Sequence, residues 1–176
     1  KVYKTRHRIE YVRDQNLPAW KIAASTAAAP VFFLPFEIEA DKVNVDGALW
    51  ANNPGVVGLT EALHMSIPIE QIRILSIGTG TKVFHKIKPR LGYGLAGWHT
   101  ALIDLSMQVQ SESSNNIVKL ICGTRYHRVQ FKLTGPHSFA PDDVASLQTL
   151  EKCALEEVQR SAGEIKSLFF SSITEP

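Results

Sequence analysis

The chain has 176 residues, of which 44% are hydrophobic, 20% charged and 9% aromatic, a composition typical of one globular domain with its own core. Nineteen basic residues against seventeen acidic ones give a formal charge of +2, which is too small to favour nucleic acid as a partner. No apolar run approaches the roughly 20 residues that a membrane-spanning helix needs, and no signal-peptide pattern opens the chain. We therefore expect a cytoplasmic or peripheral membrane protein.

Basic residues are distributed unevenly along the chain. Five of them lie between Lys1 and Arg13, where Glu10 is the only acidic residue. The stretch from Gln71 to Ile103 carries five basic residues and no acidic one. These stretches could form a face attracted to anionic lipid headgroups, or they could be ordinary solvated loops.

The first third of the chain is predicted to contain one helix and one hairpin. Val2–Ile9 alternates weakly in polarity and could be a strand. Pro18–Ala28 is rich in alanine and bounded by proline, which indicates a short helix. An apolar segment pinned by two prolines follows at residues 30–35. Phe36–Ala40 and Lys42–Val45 then read as the two strands of a hairpin.

The rest of the chain alternates between helical and strand patterns. Asn53-Pro54 is a strong helix start, because asparagine can cap free N–H groups and proline has its φ preset. The predicted elements are a helix from Asn53 to about Met65, a strand Ile72–Ile77, a helix from Trp98 to about Cys122, a strand Tyr126–Leu133 and a helix from Pro141 to about Phe170. This order predicts an α/β protein with a largely parallel sheet and further strands upstream.

Several motifs that could indicate a cofactor are incomplete. Gly78-Thr79-Gly80-Thr81 follows a predicted strand, but it lacks the remaining residues of a dinucleotide fingerprint or a P-loop. A tight strand exit near the rim of a site is the better interpretation. The six histidines have no zinc-motif spacing, and Cys122 and Cys153 have no metal or redox spacing. We expect no metal and no cofactor.

Asp46-Gly47-Ala48 is the most informative stretch. It follows the strand-like run Lys42–Val45, and a carboxylate at a strand end can be held rigidly enough to act as a general base. Asp-Gly is also a common turn pair, so Asp46 alone could simply make a turn.

The segments around Asp46 favour the catalytic interpretation. Ala23–Pro35 contains the alanine-rich end of the predicted helix and the Ala-Ala-Pro that follows it. Asp46–Pro54 runs from Asp-Gly-Ala to Asn-Asn-Pro, and Ile74–Thr81 reads Ile-Leu-Ser-Ile-Gly-Thr-Gly-Thr. This ordered set resembles the patatin-like phospholipase family, and the resemblance extends over nearly the whole chain through segments 95–98, 102–105 and 126–129.

The resemblance implies a three-layer α/β/α sandwich with a largely parallel central sheet. It also implies a lipid acyl hydrolase of the phospholipase A type, which cleaves acyl esters through a Ser-Asp dyad. Asp46 matches the aspartate of that dyad. The family's serine lies in a Gly-x-Ser-x-Gly elbow and its oxyanion hole is a glycine-rich loop; both come before the Asp-Gly motif, and neither pattern occurs in this chain.

Residues 1–176 are therefore expected to be the C-terminal portion of one patatin-like domain whose N-terminal part is absent, and this chain alone is expected to be inactive. Neither Ser25 nor Ser76 sits in an elbow, so neither is predicted as the nucleophile. Asn53 is predicted as a helix cap. The apolar set Val31–Leu34 is expected to pack in the core, with an acyl pocket as the other possibility.

Three functions remain open. The first is a phospholipase that acts on phospholipids or related acyl lipids together with the N-terminal part of the same protein, with a membrane surface as a further candidate partner. The second is a non-catalytic lipid-binding or regulatory pseudoenzyme, favoured by the missing serine and by the basic stretch from Arg73 to Arg90. The third is an unrelated α/β domain in which Asp46 only makes a turn.

Overall fold

The computed structural model describes residues 1–82, 95–133 and 143–171. Within these ranges the chain is a mixed α/β structure that divides into two compact units, Lys1–Trp50 and Ala51–Pro176. The helices and strands are α1 (Ala19–Thr26), β1 (Phe36–Glu39), β2 (Lys42–Asn44), α2 (Ala48–Ala51), α3 (Gly55–His64), β3 (Ile74–Ile77), β4 (Thr81–Lys82), α4 (Leu95–Cys122), β5 (Tyr126–Val129), β6 (Lys132–Leu133) and α5 (Leu147–Phe169). Short 3-10 turns occupy Ile69–Gln71, Gly123–Arg125 and Val144–Ser146.

The first unit is built from α1 and the hairpin of β1 and β2. The hairpin is antiparallel, and Asp41 makes its turn with a φ of 62°. Ile38 of β1 is the buried residue of the hairpin, and the Trp20 ring of α1 meets Phe36 edge-on at 6.4 Å between centroids. The helix and the hairpin predicted for this region are both confirmed.

The strand predicted for Val2–Ile9 is wrong. This segment has no partner strand in the described part of the chain, and its backbone turns instead, with the His7 N–H donating to the Thr5 carbonyl. Alternating polarity produces a strand only where a sheet edge can complete its hydrogen bonds.

The second unit is organised around a parallel strand–helix–strand unit. β3 and β5 are parallel, with Ile74 opposite Tyr126 and Ile77 opposite Val129, and α4 makes the crossover between them. β4 and β6 continue the parallel pairing beyond a short break. The α/β class and the parallel pairing are thus confirmed. The described strands form two-stranded sheets, so the three-layer sandwich stays a prediction.

Burial of apolar side chains holds α3 and α4 against the strands. The core of the second unit consists of Leu59, Ile72, Val118, Cys122 and Tyr126. Cys122 and Cys153 are both free thiols. The predicted helices α3 and α4 are confirmed close to their expected ends.

The last helix begins later than its sequence pattern predicts. α5 starts at Leu147, after a 3-10 turn, rather than at Pro141, which lies outside the described residues. Three residues of the predicted basic stretch, Lys86, Lys88 and Arg90, also lie outside them.

Candidate functional site

Asp46 follows β2 and is held against the end of α1 by the backbone. The Asp46 N–H donates to the Ala28 carbonyl at 2.9 Å, and the Gly47 N–H donates to the Thr26 carbonyl at 3.3 Å. These two bonds fix the backbone on which the carboxylate is mounted. A functional group on a backbone restrained in this way can keep one orientation.

The Asp46 carboxylate has one satisfied oxygen and one available oxygen. Oδ1 accepts a 2.7 Å hydrogen bond from the Ala48 N–H at the start of α2. Oδ2 makes no hydrogen bond within residues 1–82, 95–133 and 143–171, and the residue is only half-buried. A carboxylate oriented through one oxygen can accept a proton on the other, which is the geometry that a general base requires.

Gly47 is required by close packing rather than by its backbone angles. A Cβ at this position would lie 2.5 Å from the Thr26 Oγ1, closer than such atoms can approach. The small residue therefore lets the Asp46 segment lie against α1.

We expect Gly47→Ala to lower the free energy of unfolding by about 2 kcal/mol, because the new methyl group overlaps the Thr26 hydroxyl. Thr26→Ala removes that hydroxyl, so the double variant should recover most of the loss. Gly58→Ala is the matched control: its Cβ would meet nothing within 4 Å inside α3, and helix propensity should make it neutral or stabilising. Urea denaturation of the unmodified protein and of the Gly47→Ala, Thr26→Ala, double and Gly58→Ala variants measures these differences. A double variant that is no more stable than Gly47→Ala would contradict the clash.

The side chain of Asn44, the last residue of β2, connects this strand to the N-terminal segment and to α1. Its Nδ2 donates to the Tyr3 hydroxyl at 2.5 Å and to the Ser25 Oγ at 2.7 Å. Ser25 is 2% exposed, so its hydroxyl serves packing and hydrogen bonding.

The second unit contains a buried polar network that starts at Asn53. Its Oδ1 accepts from the Gly55 N–H at 3.1 Å and from the Ser76 Oγ at 3.1 Å. Ser76 in turn accepts from the Arg128 Nη1 at 2.7 Å, and the Asn53 carbonyl accepts from the Ser114 Oγ at 2.8 Å. The predicted capping bond at the start of α3 is therefore present. The long-range partners were missed, because no local pattern connects Asn53 with β3, α4 and β5.

The glycines after β3 are tightly packed against side chains from β5 and the residue that follows it. A Cβ at Gly78 would overlap Gln130 and Arg128, and Gly80 has a φ of 101° that favours glycine. The Gly80 N–H donates to the Gln130 Oε1 at 3.1 Å, and the Gln130 Nε2 donates to the Thr81 Oγ1 at 2.6 Å. Because a side chain occupies this amide, the arrangement fits the predicted tight strand exit better than a phosphate-binding loop.

The predicted core packing of Val31–Leu34 is wrong. All four side chains of this segment are exposed. The segment forms a turn in which the Ala29 carbonyl accepts from the N–H groups of Phe32 and Phe33 at 3.2 and 2.9 Å. The closed turn leaves all four side chains facing solvent rather than the core residue Ile38.

Metal-binding clusters and membrane-spanning helices are both absent from the part of the chain that the structure describes. No group of three histidine, cysteine, aspartate or glutamate residues there is placed to hold a metal ion. None of the helices in the described ranges has the length and apolar character needed to cross a membrane.

Comparison with known proteins identifies relatives of the chain. No protein-family profile matches it. A curated protein of Pseudomonas aeruginosa named cGAMP-activated phospholipase is 29% identical over 157 residues, which are 87% of this chain and 45% of that protein. Proteins of the same name from Vibrio cholerae and Escherichia coli are 33% and 34% identical over 84 and 83 residues, each covering 44% of this chain.

These relatives are named phospholipases, and the resemblance to patatin-like phospholipases predicted from the sequence is confirmed. The relatives that define this assignment carry the more particular name cGAMP-activated phospholipase. The alignments span 45%, 24% and 23% of their lengths, so the chain matches less than half of each.

Proposed function

We propose that this chain supplies the general base of a phospholipase A-type acyl hydrolase, and that Asp46 is that base. The observation that carries the proposal is the Asp46 carboxylate itself, oriented through Oδ1 and free of protein donors at Oδ2 in the described residues. The homology to phospholipases gives the reaction class. The remaining catalytic groups, a serine and an oxyanion loop, belong to an upstream part of the same protein, so the chain alone is inactive.

The reaction proceeds in two halves. Asp46 Oδ2 accepts the serine proton as the serine oxygen attacks the acyl carbonyl, and backbone N–H groups of the glycine-rich loop stabilise the oxyanion. The tetrahedral intermediate collapses, and the leaving lysolipid oxygen takes the proton from Asp46. Water then gives a proton to Asp46 and attacks the acyl-serine, which releases the fatty acid and returns the proton to the serine. No metal is needed for either half.

The fold proposal follows from the same relationship. The β3–α4–β5 unit is proposed to be part of a three-layer α/β/α sandwich that is completed by upstream strands. Residues 1–176 would then be the C-terminal portion of that domain. The substrate is a phospholipid or another acyl lipid, and the enzyme works in the cytoplasm or at a membrane surface.

The names of the relatives add a regulator to the proposal. Because they are called cGAMP-activated phospholipases, we include activation by cGAMP in the proposed function of the intact protein. The assay of activity must therefore be made with and without this nucleotide.

The test is release of fatty acid from phospholipid vesicles by the intact protein. We expect hydrolysis of diacyl phosphatidylglycerol in the presence of cGAMP, none of its ether-linked analogue, and none by residues 1–176 alone. A folded intact protein that releases no fatty acid under either condition would support the non-catalytic alternative instead.

A further inference from the structure

The exposed turn at Val31–Leu34 presents more apolar surface than a small water-facing loop normally does. Val31 is 75% exposed, Phe33 60% and Leu34 87%, and Phe32 is also exposed. Four consecutive apolar side chains facing solvent are unfavourable in water, and such patches mark interaction surfaces.

The backbone of the turn keeps these side chains outward. The Ala29 carbonyl closes it by accepting from Phe32 and Phe33. Val31 has a φ of 79°, which is costly for a β-branched residue, and such outliers concentrate at functional sites. The turn is thus held in a shape that displays its apolar side chains.

The turn is attached directly beside Asp46. Ala28, two residues before Pro30, accepts the hydrogen bond from the Asp46 N–H. Tyr3, in the basic N-terminal segment, is bonded to Asn44. Residues 44 and 46 are separated by no more than about 7 Å of backbone, so the basic segment and the apolar turn both start next to the candidate base.

The charge of this region favours an anionic partner. Residues 1–35 contain six basic residues and two acidic ones. Both acidic residues are ion-paired, Asp14 with Lys1 at 2.6 Å and Arg13 at 3.6 Å, and Glu10 with Arg8 at 2.9 Å. The basic residues still outnumber them by four, and Arg6 is exposed and forms no ion pair with any residue that the structure describes. Apolar side chains beside a positive surface are the combination that binds the interface of an anionic bilayer.

We propose that Val31–Leu34 is an interfacial anchor that inserts its side chains into an anionic phospholipid bilayer, with the basic segment Lys1–Arg13 on the headgroups. This inference gives the proposed phospholipase a docking surface and rests on that function for its purpose. It places the candidate base next to the point of insertion, where a lipid ester would be presented.

The test is sedimentation of the intact protein with vesicles of ether-linked phospholipids, which contain no acyl ester, so binding is measured apart from hydrolysis. We expect binding to mixed phosphatidylglycerol and phosphatidylcholine vesicles and much weaker binding to phosphatidylcholine alone. Phe32→Ser with Phe33→Ser should lower the partition coefficient roughly tenfold or more. Phe170→Ser is the matched control, because Phe170 is a 63% exposed phenylalanine of the second unit, and its binding should be unchanged.

Two further variants keep the interpretation specific. Phe33→Trp retains an apolar ring suited to the interface and should bind at least as well as the unmodified protein. Arg6→Gln with Arg13→Gln should weaken binding to anionic vesicles by about fivefold per charge and leave neutral vesicles unaffected.

Several outcomes would overturn the anchor. One is an intact protein that binds neither kind of vesicle, and another is a Phe32/Phe33 variant that binds normally. A Phe32/Phe33 variant that changes its oligomeric state would assign the turn to contact with a second copy of the chain. A variant that loses its fold would assign the turn to the protein interior. Loss of hydrolysis in Asp46→Asn with vesicle binding retained would show that anchoring and catalysis are separate properties.

Discussion

Asp46→Asn should lower the rate of ester hydrolysis by the intact protein about a thousandfold, because a carboxamide cannot accept the proton of the attacking serine. The substitution is nearly isosteric. Its Oδ1 can still accept the hydrogen bond from the Ala48 N–H, so the local structure after β2 should persist. The melting temperature should therefore change little while activity is lost.

Asp41→Asn is the control for this change. It removes the same charge from the same unit, and Asp41 occupies a left-handed turn position that asparagine tolerates well. We expect its activity to be unchanged. Fatty-acid release by both variants, with circular dichroism to confirm folding, makes the comparison. Normal hydrolysis by Asp46→Asn would remove Asp46 from the mechanism, and equal loss in both variants would point to a general effect of charge.

The parts of the fold that were predictable have local causes. The prolines that flank α1, the Asn-Pro start of α3 and the helical spacing of apolar residues in α5 each act within one or two helical turns. Asp46 is predicted as the base because an ordered set of short motifs surrounds it. The structure adds the way its backbone is held against Ala28 and Thr26, which depends on residues nearly 20 positions away.

The fold predictions that were wrong concern segments whose structure depends on tertiary partners, which hydrophobicity does not specify. Val31–Leu34 has the composition of a core segment, but the turn closed at Ala29 leaves all four side chains exposed. Val2–Ile9 alternates like a strand but meets no sheet edge in the described part of the chain. Sequence pattern predicts what a segment could become, and tertiary contacts decide whether it does.

Asn53 illustrates the same limit with a large energetic consequence. Its sequence context predicts a helix cap, and removing such a cap lowers the free energy of unfolding by about 1 kcal/mol. In the structure it is 3% exposed and also receives the Ser76 hydroxyl, which is in turn bonded to Arg128. Asn53→Ala should therefore lower the free energy of unfolding by about 3 to 4 kcal/mol, because it leaves a buried amide and a buried hydroxyl without their acceptor.

Asn52→Ala is the matched control for this prediction. Asn52 is exposed, and its side chain makes one long hydrogen bond to the Met107 carbonyl at 3.4 Å. Its removal should cost less than about 0.5 kcal/mol. Urea denaturation of the two variants measures the difference, and equal costs at the two positions would contradict a buried network.

A double-mutant cycle with Ser76 separates the network from the cap. If Asn53 acts on α3 alone, Asn53→Ala and Ser76→Ala should have additive costs, because they would then remove independent interactions. The hydrogen bond between Asn53 Oδ1 and Ser76 Oγ predicts otherwise, because Ser76→Ala already removes one of the interactions that Asn53→Ala would remove. The double variant should therefore lose about 1 kcal/mol less free energy of unfolding than the two single variants lose together. Such coupling would mean that the start of α3 and the exit of β3 unfold together, since Arg128 joins the same hydroxyl from β5.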